Sequence, residues 1–391
     1  MASVVRSVRM PRPDPIELLR EYVAIPSVNP MRRDDIPASI TGERRYATHL
    51  REQLRRFGLD AELLGDGERT SVIAEATARD ARDTVLIASH LDTVPVDGME
   101  IDPFDPRVEA GRLYGRGSCD TKAGMAAAVA ALADVLERGT LRRNVILAGE
   151  ADEECSSVGV RDVLARLGTK RPDWVLATEP TNLEVVTSHK GIALVRLVAH
   201  GVSCHSSEPR NGRSAIVAIA RAVLALESLA DEIGTRAHPR LGRPTMSVGV
   251  IGGGQAANIV PQDAWLLSDR RLLPGETERT VCDEVRGALA RHEVADVEIE
   301  SCTVEKPPLE IGDGAHAVRV CQRVLAELDL PTAPAIAAFA TDAGLFDDAG
   351  LPGVVFGPGS IEQAHTAREW VALDQLERAT RFFVKLFETA D

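Results

Sequence analysis

Two histidines and a set of scattered carboxylates carry most of the chemistry in this 391-residue sequence. In "NVILAGEADEECSSVG" (144–159) an apolar run opens directly onto Glu150, Asp152, Glu153 and Glu154. Like charges this close repel one another, and the apolar approach leaves them little room in water. Three other short β-type runs end on groups of the same kind. "TVLIAS" (84–89) runs into His90, with Asp92 two residues on, and "DWVLAT" (173–178) runs into Glu179. "PGVVFG" (352–357) leads through "PGSIEQA" to His365. In an open α/β sheet, ligand-binding groups collect beyond the carboxyl ends of the strands. Histidines and carboxylates arriving together at that edge suit a hard or borderline divalent metal.

Each residue has a plainer reading when taken alone. His90 would be a surface or hydrogen-bonded core histidine. Asp120 would be the N-cap of the helix that follows it. The acidic run would be a solvated loop, and Glu179 before Pro180 a turn residue. Their equivalent places along separate strands weigh against coincidence.

The elements that must position these groups follow from periodicity. "DPIELLREYVAI" and "GERRYATHLREQLRRFG" are apolar at helical spacing, and "TKAGMAAAVAALADVLERG" is an Ala-rich helix stopped by a glycine. Continuous apolar strands alternating with helices indicate an α/β fold: a mostly parallel sheet with helices on both faces. The middle of the chain reads as strand, helix, strand, strand, helix, strand, which suits an inserted α+β domain with an antiparallel sheet. Residues 1–192 and 304–391 are assigned to the catalytic domain, and 193–303 to the insertion.

Composition excludes several classes. With 45 Lys+Arg against 59 Asp+Glu, the formal charge of -14 argues against nucleic acid and acidic membrane partners. No apolar run approaches the roughly 18 residues that cross a bilayer. The N-terminal "MASVVRSVRMPRPDP" has no h-region, so it does not read as a secretory signal, and Met10 offers a second candidate start. The six cysteines have no CxxC spacing and read as free thiols in a reducing cytoplasm. "GVIGGGQAAN" is not followed by GK[ST], and neither a GxGxxG opening a helix nor a GxSxG occurs.

Six motifs occur in order: "ASHLDTVP" (88–95), "LYGRGSCDTKAG" (113–124), "AGEADEECSSVG" (148–159), "TEPT" (178–181), "SCHSSEP" (203–209) and "GPGSIEQAHTAREW" (357–370). In this order the chain resembles the co-catalytic zinc amidohydrolases of the acetylornithine deacetylase, succinyl-diaminopimelate desuccinylase, aminoacylase and glutamate carboxypeptidase family. The resemblance runs from about residue 14 to 385. It implies two Zn²⁺ per chain, with Co²⁺ also compatible. His90, Asp120 and Glu179 would hold one ion, and Asp120, Glu154 and His365 the other, with Asp120 bridging. Glu153 would be the general base, and Asp92 would orient His90 through its second ring nitrogen. His205 of the insertion would reach the substrate carbonyl, by domain closure or from a partner subunit.

"AANIVP" and "SDRRLLPGE" resemble segments that supply Asn258 and Arg271 to a substrate carboxylate, although the neighbouring Arg270 leaves the register open. Gly357 and Gly359 would form a tight loop bringing backbone N–H groups near the substrate. Departures from the family pattern are Thr121 for the usual Met after the bridging Asp, Met99 for an aromatic, and Arg368 for an acidic residue. Cys119 and Cys155 flank two proposed ligands, and packing is their expected role.

The last motif looks most like the acetylornithine deacetylase branch. The implied substrate is therefore an N-acyl amino acid, N²-acetylornithine first, which would belong to arginine biosynthesis. Succinyl-diaminopimelate, other N-acyl amino acids and a small dipeptide are the alternatives. The resemblance also implies a homodimer through the inserted domain. The competing class is a catalytically inactive binding relative, against which every ligand position and the base are filled.

Overall fold

The structure is a computed structural model and describes residues 13–389. The N-terminal stretch read for a signal, including Met10, lies outside the described residues. The chain divides into two compact units. One holds 13–187, 311–335 and 341–389; the other holds 188–310 and 336–340.

The first unit is built on a large sheet. Its successive strands in this unit are Asp60–Leu64, Ser71–Ala76, Asn144–Glu150, Thr84–His90, Trp174–Ala177, Gly353–Val355 and the first half of Val186–His189, along which the chain passes to the second unit. The four central strands are parallel to one another. Antiparallel neighbours flank them on both sides. These central strands are the four apolar runs of the sequence. Buried on both faces, they have no reason to alternate polar and apolar side chains.

Helix Lys122–Arg138 is almost wholly buried, packing against Pro15–Val23 and Leu373–Glu388. Its alanines let backbones approach closely, and Gly139 ends it in the left-handed conformation that glycine adopts without strain. On the other face, Val160, Val163 and Leu167 of helix Val158–Leu167 join Phe346 and Leu351 against Leu86, Ile146 and Val175. The first helix starts as its sequence requires. Asp14 accepts the Ile16 N–H at 2.9 Å, and Pro15 takes the first helical position.

The second unit carries a four-stranded antiparallel sheet in the order Thr245–Gly253, Asp263–Leu272, Gly191–His200, Val297–Lys306. Helices Ala215–Ile233 and Glu278–Arg291 bury Ile219, Leu226, Val281 and Val285 in the same core as Val195, Leu197 and Leu266 of the sheet. Ser214 caps the first helix at Val217 N, and Thr277 forms a reciprocal box with Thr280 on the second. No helix among the described residues is long and apolar enough to cross a membrane. All six cysteines are free.

Candidate metal centre

Three of the four parallel strands bring polar groups to one edge, and the fourth, Gly353–Val355, leads on to His365. His90 and Glu150 are register partners at the last rungs of Thr84–His90 and Asn144–Glu150, and Trp174–Ala177 ends two residues before Glu179. Asp120 arrives differently. Asp120 does not cap its helix: Thr121 holds the N-cap position without a side-chain cap, and its hydroxyl donates to Thr178 O at 2.8 Å.

Freed from capping, the Asp120 carboxylate gives one oxygen to each histidine. Oδ1 lies 3.0 Å from His90 Nε2, and Oδ2 lies 3.2 Å from His365 Nε2. Glu179 Oε2 is 3.9 Å from His90 Nε2, and Glu154 Oε1 is 3.1 Å from His365 Nε2. His90, Asp120 and Glu154 each present a donor atom within 4.8 Å of the others. All five predicted ligand residues therefore meet at one place.

The electrostatics explain why acids can gather there. Burial pushes Glu154 up to about 7, and the charges of Asp120 and Glu153 push the same way, against a hydrogen bond from His365. Burial would also raise Asp120, but hydrogen bonds from His365 and His90 outweigh it and hold the carboxyl well below its ordinary range. His365 rises to about 10 through its bonds to Asp120 and Glu154. Buried acids that repel one another call for positive charge.

The donor atoms suit a metal as the source of that charge. His90 Nδ1 lies 2.9 Å from the main-chain oxygen of Asp92, which can only accept. Nδ1 therefore carries a proton, and Nε2, turned towards Asp120 and Glu179, is the ring atom that would lose its proton to a metal.

Asp92 thus meets the second ring nitrogen of His90 through its main-chain carbonyl, while its carboxylate lies 3.6 Å from the same nitrogen. That carboxylate instead accepts the N–H groups of Glu153 at 3.1 Å and Glu154 at 3.0 Å, plus the Asn29 amide at 2.7 Å. It holds the turn on which the two glutamates stand. The same Asn29 amide reaches Asp152 at 2.9 Å, and Arg69 links Asn29, Asp152 and Glu43. Asp152 takes a left-handed backbone conformation, and its carbonyl receives the N–H groups of Ser156 and Ser157.

The loop glycines also behave differently from expectation. Gly357 N–H donates to Thr181 Oγ1 at 3.0 Å, and Gly359 N–H donates to Gln375 Oε1 at 2.6 Å. Neither is left for a substrate. Both glycines are close-approach positions instead: a Cβ on Gly357 would lie 2.6 Å from Glu179 O, and one on Gly359 would lie 2.5 Å from Cys119 Sγ. Cys119 is buried and donates to Ser360 O, in keeping with a packing role. Arg368 is exposed, 4.0 Å from Glu100.

The second unit brings together two more predicted residues. The 203–206 and 258–260 segments are hydrogen-bonded to each other, Ser206 N to Asn258 O and Val260 N to Cys204 O. His205 and Asn258 therefore stand on adjoining segments joined by an isolated bridge between His205 and Ile259. His205 Nδ1 accepts the Ser207 N–H at 3.2 Å and lies 2.8 Å from Ser207 Oγ. A backbone N–H can only donate, so in the neutral ring the proton belongs on Nε2, which becomes a donor.

Strand alternation puts the two arginines on opposite faces of the sheet. Arg270 points inward and is fully buried, bound to Glu276 at 2.8 Å and Glu284 at 3.3 Å. Arg271 is the half-buried one, paired with Asp269 at 2.8 Å.

Residues 86–389 match the family described as Peptidase family M20/M25/M40. The chain belongs to that family. This M20 chain is 31% identical to the acetylornithine deacetylase of Proteus mirabilis over 382 residues, which is 95% of this chain and 96% of that protein. It is 33% identical to a probable carboxypeptidase of Aspergillus terreus over 340 residues, 83% of this chain and 75% of that one. Its fold matches the M20 family metallo-carboxypeptidase Sso-CP2 of Sulfolobus solfataricus with a TM-score of 0.80 at 22% identity, covering 96% of this chain and 99% of that one. A dinuclear metal-binding M20 peptidase of Bacillus subtilis aligns at a TM-score of 0.68 and 16% identity, covering 96% of each chain. The M20 chain is thus a hydrolase of amide or peptide bonds with the mixed α/β architecture of its family.

Several residues of the M20 site gave little sign of themselves in sequence. Asn29, Arg69 and Glu43 belong to no spaced motif. Glu369 accepts four hydrogen bonds from the segment that carries Asp120. Its signal was its place four residues after His365, in the same motif.

Proposed function

We propose that this protein removes the acyl group from an N-acylated amino acid, with N²-acetylornithine as its first substrate. The observation that carries the reading is the placement of Asp120, one oxygen towards each histidine, with Glu153 and Glu154 on a single held turn.

His90, Asp120 and Glu179 would hold one ion and Asp120, Glu154 and His365 a second. Two divalent ions, zinc first and cobalt as the alternative, would supply Lewis acidity and make a water nucleophilic near neutral pH. Glu153 takes the proton of the attacking water and returns it to the amine nitrogen as the C–N bond breaks. His205 Nε2–H donates to the substrate carbonyl oxygen as negative charge builds there. Arg271 and Asn258 hold the substrate carboxylate. The products are the free amino acid and the carboxylic acid of the acyl group. The catalytic role belongs to the first unit and the lid and dimerisation role to the second, with His205 arriving by closure or from a partner subunit.

The acetylornithine deacetylases among the relatives support this substrate, and the metallo-carboxypeptidase fold match favours a peptide substrate as the second reading. A homodimer through the second unit is proposed on an exposed edge. Thr245–Gly253 is the outermost strand of its sheet, and it exposes Val250 and Ile251. Free cysteines agree with work in a reducing cytoplasm.

The deciding experiment is an amine-release screen of N-acetyl, N-succinyl and N-formyl amino acids and small dipeptides, using metal-loaded protein. Preferred turnover of N²-acetylornithine is expected. Turnover of dipeptides alone would transfer the assignment to the second reading.

A further inference from the structure

We propose that Glu369 is a positioning residue for the metal centre, fixing the backbone of Asp120 and so the direction of both its carboxylate oxygens. The proposal rests on the reading of Asp120 as the residue shared between two ions.

Glu369 is fully buried, and its two oxygens have divided duties. Oε1 accepts the N–H groups of Cys119 at 2.9 Å and Asp120 at 3.0 Å. Oε2 accepts Gly117 N–H at 3.0 Å and Arg116 Nη1 at 2.7 Å. Three backbone donors within four residues thus wrap one carboxylate. An acid kept only to neutralise Arg116 would have no use for them.

Burying a carboxylate is costly unless hydrogen bonds satisfy it, and here four do. The loop must bend sharply to offer its N–H groups. Gly117 supplies this at φ 82°, and a Cβ there would lie 2.8 Å from a Thr93 methyl and 3.1 Å from the Lys122 side chain. The last donor is the N–H of Asp120 itself, one bond from the Cα that carries the ligand side chain. With that atom pinned, rotation of the carboxylate is confined to the side-chain torsions.

Glu369 also lies four residues beyond His365 and directly before the strand Trp370–Ala372. That strand pairs with Arg112–Tyr114, so the segment bearing His365 and the one bearing Asp120 are joined by a sheet and then locked by one side chain. The 3.2 Å approach of His365 Nε2 to Asp120 Oδ2 is made between those two segments.

The test is made on the full-length chain, freed of metal and titrated with Zn²⁺ and with Co²⁺ against a chromophoric chelator. Glu369→Gln keeps the shape of the side chain but turns an NH₂ group towards donors. We expect it to fold, by circular dichroism, and to bind metal roughly 10–100-fold more weakly, with an altered cobalt absorption spectrum. Glu369→Asp, which keeps the charge but shortens the reach, should fall between Gln and wild type. If folded Glu369→Gln shows wild-type affinity and cobalt spectrum, the proposal is wrong. Should the Gln variant not fold, the same two readings on Glu369→Asp decide, and wild-type values overturn it. Asp120→Ala separates the two layers of the reading. Metal binding lost in Asp120→Ala but intact in Glu369→Gln removes only the positioning role, while wild-type binding in Asp120→Ala removes the bridging assignment and this proposal together.

Discussion

The main-chain carbonyl of Asp92 holds His90 Nδ1 at 2.9 Å, while the Asp92 carboxylate holds the backbone of Glu153 and Glu154. One residue thereby orients a histidine ligand with one group and the neighbouring glutamate turn with another. Asp92→Asn separates the two, because the carbonyl survives and the side chain gains donors facing the N–H groups of that turn. We expect kcat to fall roughly 10–100-fold with metal content close to wild type. Loss of bound metal in proportion to activity would show that the carboxylate supports His90 after all.

Glu153 is expected to matter for proton transfer and not for metal. Glu153→Gln should bind metal as wild type does and lose roughly 10²–10⁴-fold in kcat. Turnover at the wild-type rate would remove Glu153 from the mechanism.

For His205 the structure gives the tautomer, with Nδ1 accepting from Ser207 N and Nε2 left as the donor. His205→Ala should lower kcat by roughly 10²–10³-fold, the scale of a lost donor to a developing oxyanion. Metal affinity should not change. A rise in KM alone, with kcat intact, would mean that His205 binds substrate without stabilising the reacting oxygen.

His189 gives the fold a pH dependence away from the metal ligands. Burial, with the Lys306 charge acting the same way against a bond to Lys190 O, lowers its pKa from 6.5 to about 4. Above 6.5 neither folded nor unfolded chain is protonated there, and His189 contributes nothing. As pH falls through 6.5 the unfolded chain takes a proton that the native site refuses, so stability is lost down to about 4. The full loss is on the order of 3 kcal/mol, since each tenfold drop in proton affinity is worth about 1.4 kcal/mol. Urea midpoints of wild type and His189→Gln, compared at pH 7 and pH 5, should show wild type losing more. A difference independent of pH would contradict this.

The exposed edge strand of the second unit predicts a self-association that one charge can break. Ile251→Lys should shift the protein from dimer to monomer in sedimentation equilibrium while leaving metal affinity unchanged. A wild-type chain that is monomeric at micromolar concentration would refute the dimer.

How far the sequence reached can be traced through particular residues. Runs such as "TVLIAS" and "NVILAG" could be read because a strand buried on both faces must be apolar throughout, and the acids and histidines at their ends stood out against that background. Motif order then placed His90, Asp120, Glu154, Glu179 and His365 in one site, and the folded chain brings all five together.

The antiparallel strands Asp60–Leu64 and Ser71–Ala76 and the acceptors behind the ligands were not legible. Glu369 meets Asp120 across 249 residues and Asn29 meets Asp92 across 63, and local periodicity carries no information about such pairings. Nor could residue types say which atoms would be used. That Asp92 serves His90 through its carbonyl, that Gly357 and Gly359 spend their N–H groups internally, and that Arg270 turns inward while Arg271 stays out are matters of direction. A sequence states which donors and acceptors a chain possesses. Only the tertiary packing, by excluding water and forcing each buried polar atom to find a partner, decides which of them meet.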